Sequence, residues 1–232
     1  MKKIVFLTGA GMSAESGLAT VRGGGGLWDS YPVEQVATPD GFRANPSLVL
    51  EFYNKRRKEL LTVNPNRGHE LIAALENRYA VTVVTQNVDD LHERAGSTDV
   101  IHLHGELMKA CSSLSPNNQN YVITLPQSSL EINIGDKAGD GSQLRPFIVW
   151  FGEAVPKIDA AIDEVEAADM VLIVGTSLQV YPAAGLYRYA RMEAPIYIID
   201  PKDVPARDGR ITHIKEVATK GMEVFKNILK SK

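Results

Sequence analysis

Ile4-Val5-Phe6-Leu7-Thr8-Gly9-Ala10-Gly11-Met12-Ser13-Ala14 passes from an unbroken apolar run into a turn bracketed by two glycines. An apolar run that does not alternate with polar residues reads as a strand buried on both faces, the kind found in parallel sheets. The turn fits G-x-G-x-x-G/A, in which glycine lets the backbone approach a pyrophosphate and the following helix offers amide donors. The same pattern also arises in turns that bind nothing. A dinucleotide fold of ordinary design would place an acidic residue about 20 positions on, at the end of a second strand. Asp29 has that spacing, but it follows Gly23 to Gly26, Leu27 and Trp28, with no strand before it.

Working outward, similar short runs recur at Ala80 to Thr85, Val100 to Leu103, Met170 to Val174 and Ile196 to Ile199. Helical patterns separate most of them, at Pro46 to Leu61, Gly68 to Glu76, Pro156 to Ala167, Pro182 to Arg191 and Thr219 to Leu229. Strand-then-helix alternation predicts an α/β fold with a Rossmann-like, doubly wound parallel sheet. Two stretches break the rhythm, Arg22 to Ala44 and about Glu106 to Leu144, the latter with a short strand expected at Tyr121 to Leu125. Loops of such length belong to functional segments or subdomains. Residues 1–28, 66–104 and 145–232 are therefore assigned to the sheet domain. Residues 29–65 and 105–144 are assigned to a smaller inserted module.

The 232 residues carry 25 basic and 28 acidic side chains, which offers nucleic acid or an anionic membrane no general attraction. Cys111 is the single cysteine, so an intramolecular disulfide and an all-cysteine zinc site are excluded. The apolar run after Lys2-Lys3 ends at Thr8, too early for a signal peptide or membrane span, and a cytoplasmic protein is expected.

Polar residues gather after the expected strands. Gly175-Thr176-Ser177 follows Val174, as a ligand-binding edge or as a tight turn with a hydroxyl N-cap. Thr85-Gln86-Asn87-Val88-Asp89-Asp90 concentrates more amides and carboxylates than one helix cap can use. In Ile101-His102-Leu103-His104-Gly105 the period of two puts both histidines on one face. They could ligate a metal, act as a base or be satisfied structurally. His104 is the better base, because Gly105 leaves room for a ligand and imidazole accepts a proton near neutral pH. On the Pro46 helix, Val49, Phe52, Tyr53 and Leu60 define an apolar stripe interrupted by Arg56, with Arg57 and Lys58 expected to point elsewhere. Arg56 needs an anion, either a structural carboxylate or one on a ligand held jointly with the Tyr53 hydroxyl.

Taken together, Gly9-Ala10-Gly11-Met12-Ser13-Ala14-Glu15-Ser16-Gly17 with Arg22, Thr85-Gln86-Asn87-Val88-Asp89, His102-Leu103-His104-Gly105, Val149-Trp150-Phe151-Gly152-Glu153 and Gly175-Thr176-Ser177 resemble, in order, the sirtuins, NAD-dependent protein lysine deacylases. The Tyr53-Asn54-Lys55-Arg56 spacing resembles the class III subgroup that removes succinyl and malonyl groups. The resemblance implies NAD contacts at Gly9, Ala10, Gly11, Ser13, Ala14, Glu15, Arg22, Trp28, Gln86, Asn87, Asp89, Gly175, Thr176, Ser177, Asp200 and Ala218. It implies that His104 and Asn87 are catalytic, His104 deprotonating a ribose hydroxyl after the acyl oxygen has displaced nicotinamide as an alkylimidate. It further implies an acyl-lysine peptide pairing with Val149, Trp150, Phe151, Gly152 and Glu153 as an added strand, and an acyl group held by Tyr53 and Arg56.

Two positions depart from the family pattern, Ala19 for Pro and Val21 for a shielding Phe, and Ile198-Ile199-Asp200 replaces Asn-x-Glu. The family's four zinc cysteines are missing, so a metal-free module is expected. The expected activity is NAD-dependent removal of succinyl or malonyl, with acetyl as a further candidate, from protein lysines by a monomer. The alternatives are NAD glycohydrolysis or ADP-ribosyl transfer, suggested by Val21, and a catalytically weak NAD or ADP-ribose binding module.

Overall fold

The computed structural model describes residues 1–20 and 30–231. Its central sheet has six parallel strands in the order β3-β2-β1-β7-β8-β9, formed by β1 (Lys3–Thr8), β2 (Ala80–Thr85), β3 (Val100–His102), β7 (Met170–Val174), β8 (Ile196–Ile199) and β9 (Ile211–Ile214). The non-alternating apolar runs are explained by burial on both faces. On one face Ile4, Phe6, Leu172, Val174, Tyr197 and Ile199 pack with Met222 and Phe225 of the closing helix Ala218–Lys230. On the other, Val5, Leu7, Val171, Ile173 and Ile198 pack with Ala161 and Val165 of the helix Ile158–Ala167. Strand β9 lies outside the expected elements. Its Ile-Thr-His-Ile stretch is short and mixed, as an edge strand with one partner can be. Pro182 to Arg191, expected as an α-helix, holds the 3₁₀-helix Ala183–Tyr189.

The second sheet is antiparallel, ordered β5-β4-β6, from β4 (Gly105–Ser112), β5 (Ile123–Thr124) and β6 (Leu144–Ile148). This corrects the expected boundary at residue 145, which cuts through β6. The pairing of Ser112 with Leu144 and of Gly105 with Ile148 keeps the whole strand in the inserted module. The long helix Pro46–Leu61 has the expected bounds, capped by the Asn45 side chain accepting from Leu48 N–H at 3.1 Å.

Its buried arginine is not the expected one. Arg57 is wholly buried and donates to Leu130 O at 2.7 Å, Leu107 O at 3.2 Å and Asn54 Oδ1. Burial pushes its guanidinium down to about 10. Arg57 thus bolts the helix to the 105–144 segment, and Asn54 doubles the joint by exchanging hydrogen bonds with Ile132, both at 3.0 Å.

At the far end of β4, Ser112 Oγ donates to Asp140 Oδ2 at 2.5 Å and accepts from the amides of Leu114 and Ser115. Ser142 Oγ donates to the other oxygen of Asp140 at 2.7 Å. Cys111 is buried beside this knot, its thiol raised to about 11 by burial, with Sγ 3.7 Å from Pro146 O. Ser112→Ala removes one donor and leaves two amides without their acceptor. It is expected to cost about 1–3 kcal/mol, read as a lower urea midpoint at unchanged m.

Gly105 does not clear space for a ligand. At its φ of +86° an added Cβ would lie 2.0 Å from Phe147 O, so the glycine is demanded by the close approach of β6. Gly105→Ala is expected to lower the melting temperature by about 4–16 °C, given about 2–4 kcal/mol from left-handed strain and the clash together.

Candidate active site

Strand order reverses between β1 and β7, and open α/β sheets bind ligands in the crevice at such a switch point, beyond the carboxyl ends of the strands. Two glycine turns interlock there. Gly9 N–H donates to Val174 O at 3.0 Å and Gly11 N–H to Gly175 O at 2.8 Å. A Cβ on Gly11 would lie 2.7 Å from Gly175 Cα. The glycines therefore first serve the contact between the loops, and this contact brings both rims of the crevice together. Ser177 is exposed and begins no helix, the next helical turn starting only at Ala183, so the N-cap explanation for it fails.

The Gln86–Asp89 segment lies across the same edge. Gln86 Nε2 donates to Thr176 Oγ1 at 3.1 Å, and Asn87 Nδ2 donates to Gly9 O at 2.9 Å. Ser13 Oγ donates to Asp89 Oδ2 at 2.9 Å, while Asp89 Oδ1 accepts from Leu91 N–H at 3.1 Å. Burial raises the Asp89 carboxyl against the pull of those bonds. Behind Ser13 sits buried His69, whose Nδ1 accepts from Asn66 N–H at 3.1 Å, leaving Nε2–H toward Ser13 at 3.4 Å. Burial lowers His69 to about 4, so it is neutral at physiological pH. Asn66 and His69 were missed from sequence, although Asn-x-x-His here forms a capping box that could have flagged them.

The two histidines of Ile101 to Gly105 divide their roles. His102 is buried with Nδ1 2.9 Å from Asn87 O and Nε2 2.5 Å from Glu93 Oε1. Both ring nitrogens are satisfied structurally. His104 is half-buried, and its Nδ1–H donates to Gln86 O at 3.2 Å, which fixes the tautomer with an Nε2 lone pair. Burial lowers its pKa below the usual 6.5, with the Gln86 carbonyl opposing.

Just after β6, Trp150 Nε1–H donates to Tyr53 Oη of the inserted module at 3.1 Å, and burial pushes the Tyr53 phenol up to about 12. The Arg145 guanidinium lies over the Trp150 indole, 3.6 Å from its centroid, and pairs with both oxygens of Glu153 at 2.7 and 2.9 Å. Arg56 lies 5.6 Å from the Phe52 ring. Among the described residues no carboxylate pairs with Arg56 and nothing accepts a hydrogen bond from it. Burial lowers its pKa, opposed by Tyr53, Glu59 and Asp89.

Residues 9–182 match the model of the Sir2 family. The chain belongs to the Sir2 family. This Sir2-family chain is 60 % identical over 230 residues to an NAD-dependent protein deacylase of Bacteroides thetaiotaomicron, covering 99 % of this chain and 98 % of the relative. Among solved structures it is similar to a mutant Sir2 homologue in complex with ADP-ribose, at a TM-score of 0.88 and 38 % identity, covering 99 % and 93 % of the two chains. It is also similar to a Sir2 homologue in complex with NAD, at a TM-score of 0.85 and 37 % identity, covering 99 % and 90 %. The cofactor is NAD, and the paired glycine turns at the switch point suit a dinucleotide.

The sirtuin fold brings Gly9, Ala10, Gly11, Ser13, Gln86, Asn87, Gly175 and Thr176 to one edge. Glu15 turns to the closing helix instead, accepting from Thr219 N–H at 3.0 Å and Thr219 Oγ–H at 2.8 Å. Ala218 is buried against Gly68. Asp200 closes β8, one oxygen accepting from Lys202 N–H at 2.8 Å. Arg22 and Trp28, with Val21 and Asp29, lie outside the described residues. In the segment expected to pair with a peptide, the amides of Val149, Trp150, Phe151 and Glu153 already donate to His104 O, Glu153 Oε2, Ala37 O and Trp150 O. Trp150 is buried and Phe151 is 44 % exposed.

Proposed function

We propose that this enzyme removes acidic acyl groups, succinyl and malonyl, from protein lysines, and that Arg56 reads the acyl carboxylate. The coarser activity, NAD-dependent protein deacylation, comes with the family and with the deacylase relatives. The observation that carries the finer reading is the Arg56 guanidinium, largely desolvated one helical turn from Tyr53 and without an anionic partner among the described residues. A cation in that state gains most from a carboxylate brought by a ligand.

NAD supplies an electrophilic ribose carbon bearing a neutral leaving group. Asn87 is anchored through Nδ2 to Gly9 O, leaving its side-chain oxygen for the ligand, and so orients the nicotinamide end. His104 receives the ribose hydroxyl proton at Nε2, the nitrogen that the Gln86 bond leaves unprotonated. Stacked Arg145 and the Tyr53 bond hold Trp150 as a rigid wall for the lysine stem. Mass spectrometry of products from NAD and a panel of acyl-lysine peptides tests the reading. Succinyl or malonyl peptides should give free lysine and the matching O-acyl-ADP-ribose faster than acetyl peptides, and a preference for acetyl would refute it.

The inserted module is proposed to fold without metal, held by the Ser112, Asp140 and Ser142 hydrogen bonds. Stoichiometric zinc in the purified protein would refute this.

A further inference from the structure

The Gln86–Asp89 segment is held by its carbonyls, one after another. Thr85 O accepts from Leu103 N–H at 2.9 Å and Val88 O from Leu107 N–H at 2.8 Å. Between them, Gln86 O accepts from His104 Nδ1–H and Asn87 O from His102 Nδ1–H. His102, which ends β3, and His104, in the turn that follows, thus grip two consecutive peptide carbonyls, one with the base itself and one with a residue two positions before it.

The His102 contacts have a further requirement. A carbonyl can only accept, so Nδ1 must carry a proton. The 2.5 Å gap between Nε2 and Glu93 Oε1 must contain a second proton, on the ring or shared with the carboxylate. Burial opposes charge on His102, and Glu93, the Asn87 carbonyl and Glu106 outweigh it. The other charged groups around the ring are Lys109, paired with Glu106 at 2.9 Å, and Asp89, with His92 buried close by. A metal at Glu93, His102 and Glu106, whose ligand atoms lie within 4.8 Å of one another, would have to displace these bonds.

We propose that His102 is a positioning residue for deacylation, its Nδ1–H holding the Asn87 carbonyl so that the Asn87 side chain and the His104 imidazole keep a fixed relation across the nicotinamide ribose. The proposal rests on the reading of Asn87 and His104 as the catalytic pair. Glu93 holds the other end of the ring and prevents it from rotating away.

Asparagine and glutamine separate this from simple packing, because the amide nitrogen of Asn falls near the place of Nδ1 and that of Gln near the place of Nε2. His102→Asn should keep kcat within about threefold of wild type. His102→Gln, which keeps the Glu93 contact and loses the Asn87 contact, should lower kcat at least tenfold, with the peptide KM and the ADP-ribose Kd within twofold. Equal loss in both variants, or full turnover in His102→Gln, overturns the proposal. Asn87→Ala is run beside them. Wild-type turnover there removes the underlying reading, whereas an impaired Asn87→Ala with a fully active His102→Gln removes the His102 role alone. Should His102→Gln fail to fold, the ring of the ¹⁵N-histidine-labelled wild type decides by NMR. A proton on Nδ1 at pH 7.5 supports the grip on Asn87, and an Nε2-only tautomer overturns it.

Discussion

His104→Ala is expected to lower deacylation of any acyl peptide by about 10²–10⁴-fold, the range that a positioned general base supplies. ADP-ribose binding should stay within a few fold, because the glycine turns are held by their own backbone bonds, and Gln86 without the imidazole keeps its amide bond to Thr8 O and its side-chain bond to Thr176. Isothermal titration with ADP-ribose and initial rates with a saturating peptide measure the two quantities on one preparation. Undiminished turnover would remove His104 from the proton transfer. Loss of binding and turnover together would show a structural role instead.

The wild-type pH profile carries the same argument with a defined sign. Burial disfavours the imidazolium, so His104 titrates below the usual 6.5. The active form is the neutral ring. Activity is therefore retained as pH falls through 6.5 and is lost only when the lowered pKa is reached. An acid limb of kcat/KM above 6.5 would contradict the assignment of this limb to His104.

The second large effect is expected for Arg56→Met. It should lower succinyl-peptide turnover by about 10²-fold, since a carboxylate left desolvated and unpaired costs roughly 2–5 kcal/mol. Acetyl turnover, with no carboxylate to satisfy, should change less than about threefold. Equal loss on both peptides would sink the acidic-acyl reading. The neighbouring Arg57→Met is the necessary contrast. It takes the Arg57 donor from Leu107 O and Leu130 O and one of two donors from Asn54 Oδ1, so it should destabilise the fold by about 2–5 kcal/mol and lower both activities alike.

The confusion between these two arginines shows where sequence reading stops. Arg56 is one turn from Phe52 and from Leu60, and Arg57 is one turn from Tyr53 and near Leu60, so helical periodicity places both on the apolar stripe. What buries Arg57 is a pair of carbonyls 50 and 73 residues further on, and no local pattern reports them. The buried strands were legible for the opposite reason. Residues enclosed on both faces must be apolar without a break, which marks Ile4 to Leu7 or Met170 to Val174 at sight. Strands β4 and β6 mix Lys109, Arg145 and Pro146 among their apolar residues, Arg145 buried against the Trp150 ring and Glu153, and so lack the unbroken apolar run that marks a strand at sight. At the site, residue types announced Asn87 and His104. The hydrogen bonds that orient them come from Gly9 O and His102 for Asn87 and from Gln86 O for His104, and these had to be seen in three dimensions.

The bond between Glu15 and Thr219 spans 204 residues. At translation rates of 5–20 residues per second, about 10–40 s separate the emergence of its two ends. A growing chain therefore carries its glycine turn long before the helix that braces it, and the face of the sheet that Met222 and Phe225 cover stays open until the helix Ala218–Lys230 arrives. An enzyme braced in this way completes its nucleotide crevice only once that helix has been made, and a ribosome stalled short of residue 218 would hold a chain that has every motif and no brace for its glycine turn.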